Sequence, residues 1–141
     1  MKDIILFYNY LLTRHTGERL SQAFIEKGYD YRPEHFLILL LLDLRGPMSQ
    51  QAICTGAIKG KSTISRAIDF LEKRGVVKRF PGEDAREKHV KITDKGKAEF
   101  EELKTVAMSL EARMLSPLSP AQQNEFLKLL KICISGSGKK F

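Results

Sequence analysis

Residues 61–80 read KSTISRAIDFLEKRGVVKRF, and a change of pattern inside this stretch decides the fold. Up to Arg74, the apolar residues Ile64, Ala67, Ile68 and Leu71 recur at three- and four-residue steps, which places them on one face of a helix. Ser62, Thr63, Ser65, Arg66, Asp69 and Lys73 fall elsewhere around it. Gly75 ends the helix where left-handed backbone is wanted. Directly beyond, Val76 to Phe80 reads as a strand and His89 to Ile92 as its partner. The intervening PGEDAREK is rich in turn formers and charge, as the tip of a hairpin should be.

Upstream, residues 56–60 (GAIKG) form a turn, and Ser49 can cap a short helix from Gln50 to about Thr55. A further helix is predicted over Pro33–Arg45, stopped by Gly46-Pro47. Its run FLILLLL is apolar on every side, so it should lie at the centre of the fold. Residues 3–27 carry Ile4, Tyr8, Leu11, Leu12, His15, Leu20, Phe24 and Ile25 at helical spacing, and Gly28 ends the pattern. Downstream, Thr93 caps a helix reaching about Leu115, and Ser119-Pro120 opens a last one with Phe126, Leu127, Leu129, Leu130, Ile132 and Cys133 apolar. Residues 135–141 read as a disordered tail.

The whole chain of 141 residues fits one domain of mainly α class with a small β-hairpin wing. Its formal charge of +7 points to a polyanionic partner. That charge is concentrated centrally: residues 32–91 hold twelve Lys/Arg against seven Asp/Glu, whereas residues 1–31 hold four of each. The two cysteines, Cys54 and Cys133, form neither a disulfide framework nor a zinc spacing, and imply a reducing, cytoplasmic setting. The longest apolar run, Phe36 to Leu42, is too short to span a bilayer, and no export signal is visible. No cofactor motif is found.

A short helix and turn that brace a second helix, followed by a hairpin, form a winged helix-turn-helix. In that arrangement the second helix can enter a major groove, where each base pair shows a distinct donor and acceptor pattern. Ser49 and the residues Lys61, Ser62, Thr63, Ser65 and Arg66 are then the candidate DNA contacts from the helices, and Arg86 and Lys88 those from the hairpin tip. Lys59, Lys78 and Arg79 also fall where phosphates would pass, while Lys73 and Arg74 read as solvent-facing charge.

The sequence resembles the MarR family of bacterial transcription regulators. The matching stretches are Pro33-Glu-His-Phe, Gly46-Pro-Met-Ser-Gln50, Lys61-Ser-Thr-Ile-Ser-Arg66, Leu71-Glu-Lys-Arg-Gly-Val-Val-Lys-Arg79, Asp84-Ala-Arg86 and Val90-Lys-Ile-Thr-Asp-Lys-Gly96, closed by Leu118-Ser-Pro and its following helix. The resemblance implies a winged helix-turn-helix lobe over 32–93 and a helical dimerisation region over 1–31 and 94–134. It further implies a homodimer on a pseudo-palindromic operator, with Asp84 orienting Arg86 toward the minor groove. Such regulators commonly repress, and commonly respond to small aromatic or anionic effectors, for which His15, Tyr31 and His35 are the candidate polar groups. Gly60 departs from the family's usual Asp or Asn helix cap.

Other readings fit less well. GAIKGKST has the look of a phosphate-binding loop, yet only three residues separate Gly56 from Gly60-Lys61, and no apolar strand precedes it. His15, His35 and His89 are scattered, with no catalytic or metal-ligand pairing, so no enzyme is expected. A winged-helix module that binds protein, and a regulator sensing oxidants through Cys54 or Cys133, remain as alternatives; the first usually lacks a basic, hydroxyl-rich recognition helix.

Overall fold

The computed structural model describes residues 4–138. The elements are α1 (Ile5–Glu26), α2 (Pro33–Arg45), β1 (Met48–Ser49), α3 (Gln50–Ala57), α4 (Lys61–Lys73), β2 (Val77–Pro81), β3 (Lys88–Ile92), α5 (Asp94–Leu115) and α6 (Pro120–Gly136). Two compact units divide the chain between Ala107 and Met108, within α5.

The first unit holds the core. The expected stripe of α4 is buried, with Ile64, Ala67, Ile68 and Leu71 all inside. They meet Ile38, Leu39, Leu41 and Leu42 of α2, Ile53 and Ala57 of α3, and Phe100 and Leu103 of α5. Each of the Ile, Leu and Phe side chains contributes about 1.5–3 kcal/mol through apolar burial. The sheet is antiparallel with strand order β1-β3-β2. Val77 faces Ile92 and Phe80 faces His89, while Met48 and Ser49 face Val90 and His89. The predicted hairpin is present, and β1 is an addition to it. Two residues are too few to show any periodicity.

Caps explain several boundaries. Ser49 Oγ accepts the Ala52 N–H at 3.0 Å, starting α3 as expected. Thr93 Oγ1 accepts the Gly96 N–H at 3.0 Å, starting α5. Gly75 adopts φ +75°, so the chain can turn from α4 into β2. The turn after α3 is unusual, because its left-handed residue is Ile58 (φ 54°, ψ 45°). For an L-residue with a Cβ, that conformation costs roughly 1–2 kcal/mol.

In the second unit, Ser119 and Gln122 form a reciprocal capping box at the start of α6. The Gln123 amide donates to the Leu115 and Leu118 carbonyls, closing the preceding turn. Ser135 and Gly136, expected in a disordered tail, belong instead to α6. Lys139, Lys140 and Phe141 of that tail lie outside the described residues.

Candidate nucleic-acid interface

Burial of one face of α4 sets what the other face presents. Lys61, Ser62 and Arg66 are exposed, and Thr63 and Ser65 are half-buried at the boundary. The helix starts at Gly60, which supplies no side-chain cap. The first N–H groups of α4 therefore lack a side-chain acceptor and keep their affinity for an anion, with the Lys61 side chain on the same turn. Arg66 Nε donates to the Ser62 carbonyl at 3.2 Å, which holds the guanidinium along the helix. Ser49 is half-buried and has two structural tasks, pairing with β3 and capping α3.

The wing is stiffened from within. Gly82 N–H donates to the Glu87 carbonyl and Glu87 N–H to the Asp84 carbonyl, both at 2.9 Å. Asp84 Oδ1 accepts the backbone N–H of Arg86 at 3.0 Å. Among the described residues no ion pair joins the Asp84 and Arg86 side chains, so Asp84 acts on Arg86 through the turn and leaves its guanidinium exposed. Lys88 is exposed beside it.

Two arginines differ from their sequence reading. Arg79, expected where phosphates would pass, is instead engaged within the protein: only 18% exposed, it pairs with Asp69 at 2.7 Å and Glu72 at 3.1 Å, and donates to the Ser65 carbonyl at 3.3 Å. It ties β2 to α4 and neutralises two carboxylates within the protein. Arg74 is not solvent-facing charge. Its guanidinium pairs with Glu99 at 2.7 Å and lies over the Tyr31 ring, 5.1 Å from the centroid. Lys73 is exposed, as expected.

Among the candidate effector residues, Tyr31 is 1% exposed and its hydroxyl donates to Glu99 at 2.8 Å. Burial, with Glu99 beside it, holds the phenol well above its usual pKa. His35 Nδ1 accepts the Arg32 N–H at 3.0 Å, and its ring stacks on Phe70 with centroids 4.3 Å apart. His15 is exposed on α1, and among the described residues no hydrogen bond or ring contact joins it to Tyr31 or His35. Tyr31 and His35 thus serve the core, although His35 also borders an open cleft with Arg32, Glu34, Thr63, Arg66 and Ala67. Cys54 is buried and Cys133 exposed.

Burial lowers the pKa of His35 below its ordinary 6.5. The unfolded chain then takes up this proton first, so stability is complete above pH 6.5 and declines as pH falls through the folded-state value. His35→Asn keeps an acceptor for the Arg32 N–H and removes the titration. Thermal melts from pH 7.5 to 5 should show a shallower decline for this variant than for wild type. Parallel curves would remove His35 as the cause.

The sequence model of the MarR family matches residues 32–88. YkoM of Bacillus subtilis, an uncharacterized HTH-type transcriptional regulator, is 31% identical over 106 residues, covering 74% of this chain and 69% of the relative. IacR of Pseudomonas putida, an HTH-type transcriptional repressor, is 29% identical over 75% of this chain and 64% of its own length. The crystal structure of the transcriptional regulator BldR from Sulfolobus solfataricus superposes with a TM-score of 0.84 at 25% identity, covering 93% of this chain and 92% of that one.

Proposed function

The chain belongs to the MarR family of transcriptional regulators, and from that premise we propose that it is a homodimeric repressor of a pseudo-palindromic operator. The observation that carries this reading is the set of cations and hydroxyls on α4, with Lys61, Ser62 and Arg66 exposed at an uncapped helix start and in no ion pair among the described residues. Thr63 and Ser65 extend that surface, and Ser49 anchors its bracing helix. Arg86 and Lys88, on a wing shaped by Asp84, supply the second contact, in the minor groove or on its phosphates. A repressor role accords with the name of IacR. The family is one of regulators and is not an enzyme class.

Dimerisation has its own support. Ile5, Leu6, Phe7, Leu11 and Leu12 of α1 are exposed, and so are Leu127, Leu129, Leu130, Ile132 and Ile134 of α6. Exposed apolar side chains clustered on a helix usually mark a partner, and a second copy is the partner that a two-fold operator requires. Light scattering at micromolar concentration should give the mass of a dimer. Footprinting on genomic fragments should show two protected half-sites about 10 base pairs apart. A monomer, or a single protected half-site, rejects this reading.

The cleft between Arg32, His35 and Arg66 favours a second element, control by a small anionic or aromatic effector. A carboxylate there would compete with DNA for Arg66 and shift the population toward a form that binds the operator less well. Benzoate should lower affinity for duplex in wild type and have less effect on Arg32→Ala. Equal effects on both would exclude the cleft.

A further inference from the structure

The turn between α3 and α4 holds a side chain that the fold does not explain. Among the described residues Ile58 alone has positive φ without being glycine. Glycine or asparagine adopts this conformation readily, and a β-branched residue is among the poorest choices. The side chain is not placed there for the core either: it is 58% exposed and absent from the packed cluster. The backbone is already satisfied, with Ile58 N–H donating to the Thr55 carbonyl and Lys59 N–H to the Cys54 carbonyl. Its surroundings are informative. Exposed Lys59 follows it, and Gly60 then opens α4 with Lys61 and Ser62 exposed.

We propose that Ile58 is a specificity-determining DNA contact, its side chain packing on the C5-methyl group of a thymine at the edge of the groove that α4 enters. That methyl is the apolar group that base edges display in the major groove, and an aliphatic side chain against it removes both from water. Backbone strain kept in the free protein is a recurrent property of binding surfaces. The inference rests on the DNA-binding reading of α4 and adds a base preference to it.

The test uses Ile58→Asn and Ile58→Gly, with duplexes recovered by the wild type from a random-sequence library. In these duplexes thymines are replaced one at a time by deoxyuridine, which lacks the methyl group. Wild type should lose about 4-fold in affinity at one thymine of each half-site, the worth of one buried methyl. Ile58→Asn should bind the parent duplex about 10-fold more weakly and ignore that replacement, while its dependence on salt stays that of wild type, since no charge is removed. It should also melt higher than wild type, because the strain is relieved.

Three results overturn the proposal: Ile58→Asn and Ile58→Gly binding the parent duplex as wild type does, the same deoxyuridine penalty in variant and wild type, or a lower melting temperature in both variants. If wild type retains no duplex at low salt, the DNA-binding reading itself fails, whatever stands at position 58.

Discussion

Gly96→Ala should destabilise the first unit by roughly 3 kcal/mol or more, because its new methyl has nowhere to go. A Cβ at Gly96 would stand 2.0 Å from the Val76 carbonyl oxygen and 2.8 Å from Ile92 Cγ1. Neither neighbour can retreat cheaply. Val76 is fully buried, and its carbonyl accepts the Thr93 N–H at 3.0 Å. Thr93 is held in turn by its hydroxyl, which donates to the Gly75 carbonyl at 2.6 Å. The start of α5 is thus pinned to the strand that leads into the wing, so the substitution should loosen the wing as well. Urea unfolding measures the loss. Gly17→Ala is the control: its Cβ would meet Pro33 Cγ at an ordinary 3.7 Å, and within α1 the exchange should stabilise by about 0.5–1 kcal/mol. Similar midpoints for Gly96→Ala and wild type would contradict the close approach.

The second large effect concerns Glu99, which is 8% exposed yet carries a carboxylate. Two donors hold it, Arg74 at 2.7 Å and the Tyr31 hydroxyl at 2.8 Å. These come from the end of α4 and from the segment before α2, so one side chain of α5 joins three parts of the first unit. Glu99→Ala leaves a partly buried guanidinium and a buried hydroxyl without their acceptor. Breaking a buried pair costs about 3–5 kcal/mol. Arg74 is about a third exposed, so water recovers part of this and about 2–3 kcal/mol is expected. Glu99→Gln still accepts from Tyr31 and should lose about half as much. In a double-mutant cycle, Arg74→Met with Glu99→Ala should lose clearly less than the two singles added. Strict additivity would mean that the pair does not act as one.

These residues also show where the sequence was legible. The α4 stripe, Gly75, and the caps Ser49, Thr93 and Ser119 are local features, set by periodicity or by a hydrogen bond across three residues. They could be read directly, and so could the wing. Arg74 and Arg79 could not. A helical wheel places Arg74 on an outer face, but its partner Glu99 lies 25 residues on, in another helix. Arg79 alternates outward on β2, and only the tertiary fold returns it to Asp69 and Glu72. The bond from the Tyr31 hydroxyl to Glu99 is hidden from the sequence for the same reason. In the candidate interface, Lys61, Ser62, Arg66, Arg86 and Lys88 needed no distant partner to be exposed, and the structure leaves all five exposed. Asp84 holds Arg86 through a turn, its carboxylate accepting the Arg86 backbone N–H, and a motif alone does not display a hydrogen bond to the backbone.

Division of labour between α4 and the wing is the central claim, and the salt dependence of duplex binding tests it most directly. Log affinity against log salt should fall steeply for wild type, with a slope of about −0.9 for each phosphate neutralised. In Lys61→Ala and Arg86→Ala the slope should be shallower by about 1 for each phosphate that is no longer neutralised. Arg79→Met should leave it unchanged, since Arg79 is spent within the protein. A flat wild-type line, or a slope that falls with Arg79→Met and not with Lys61→Ala, would contradict the account.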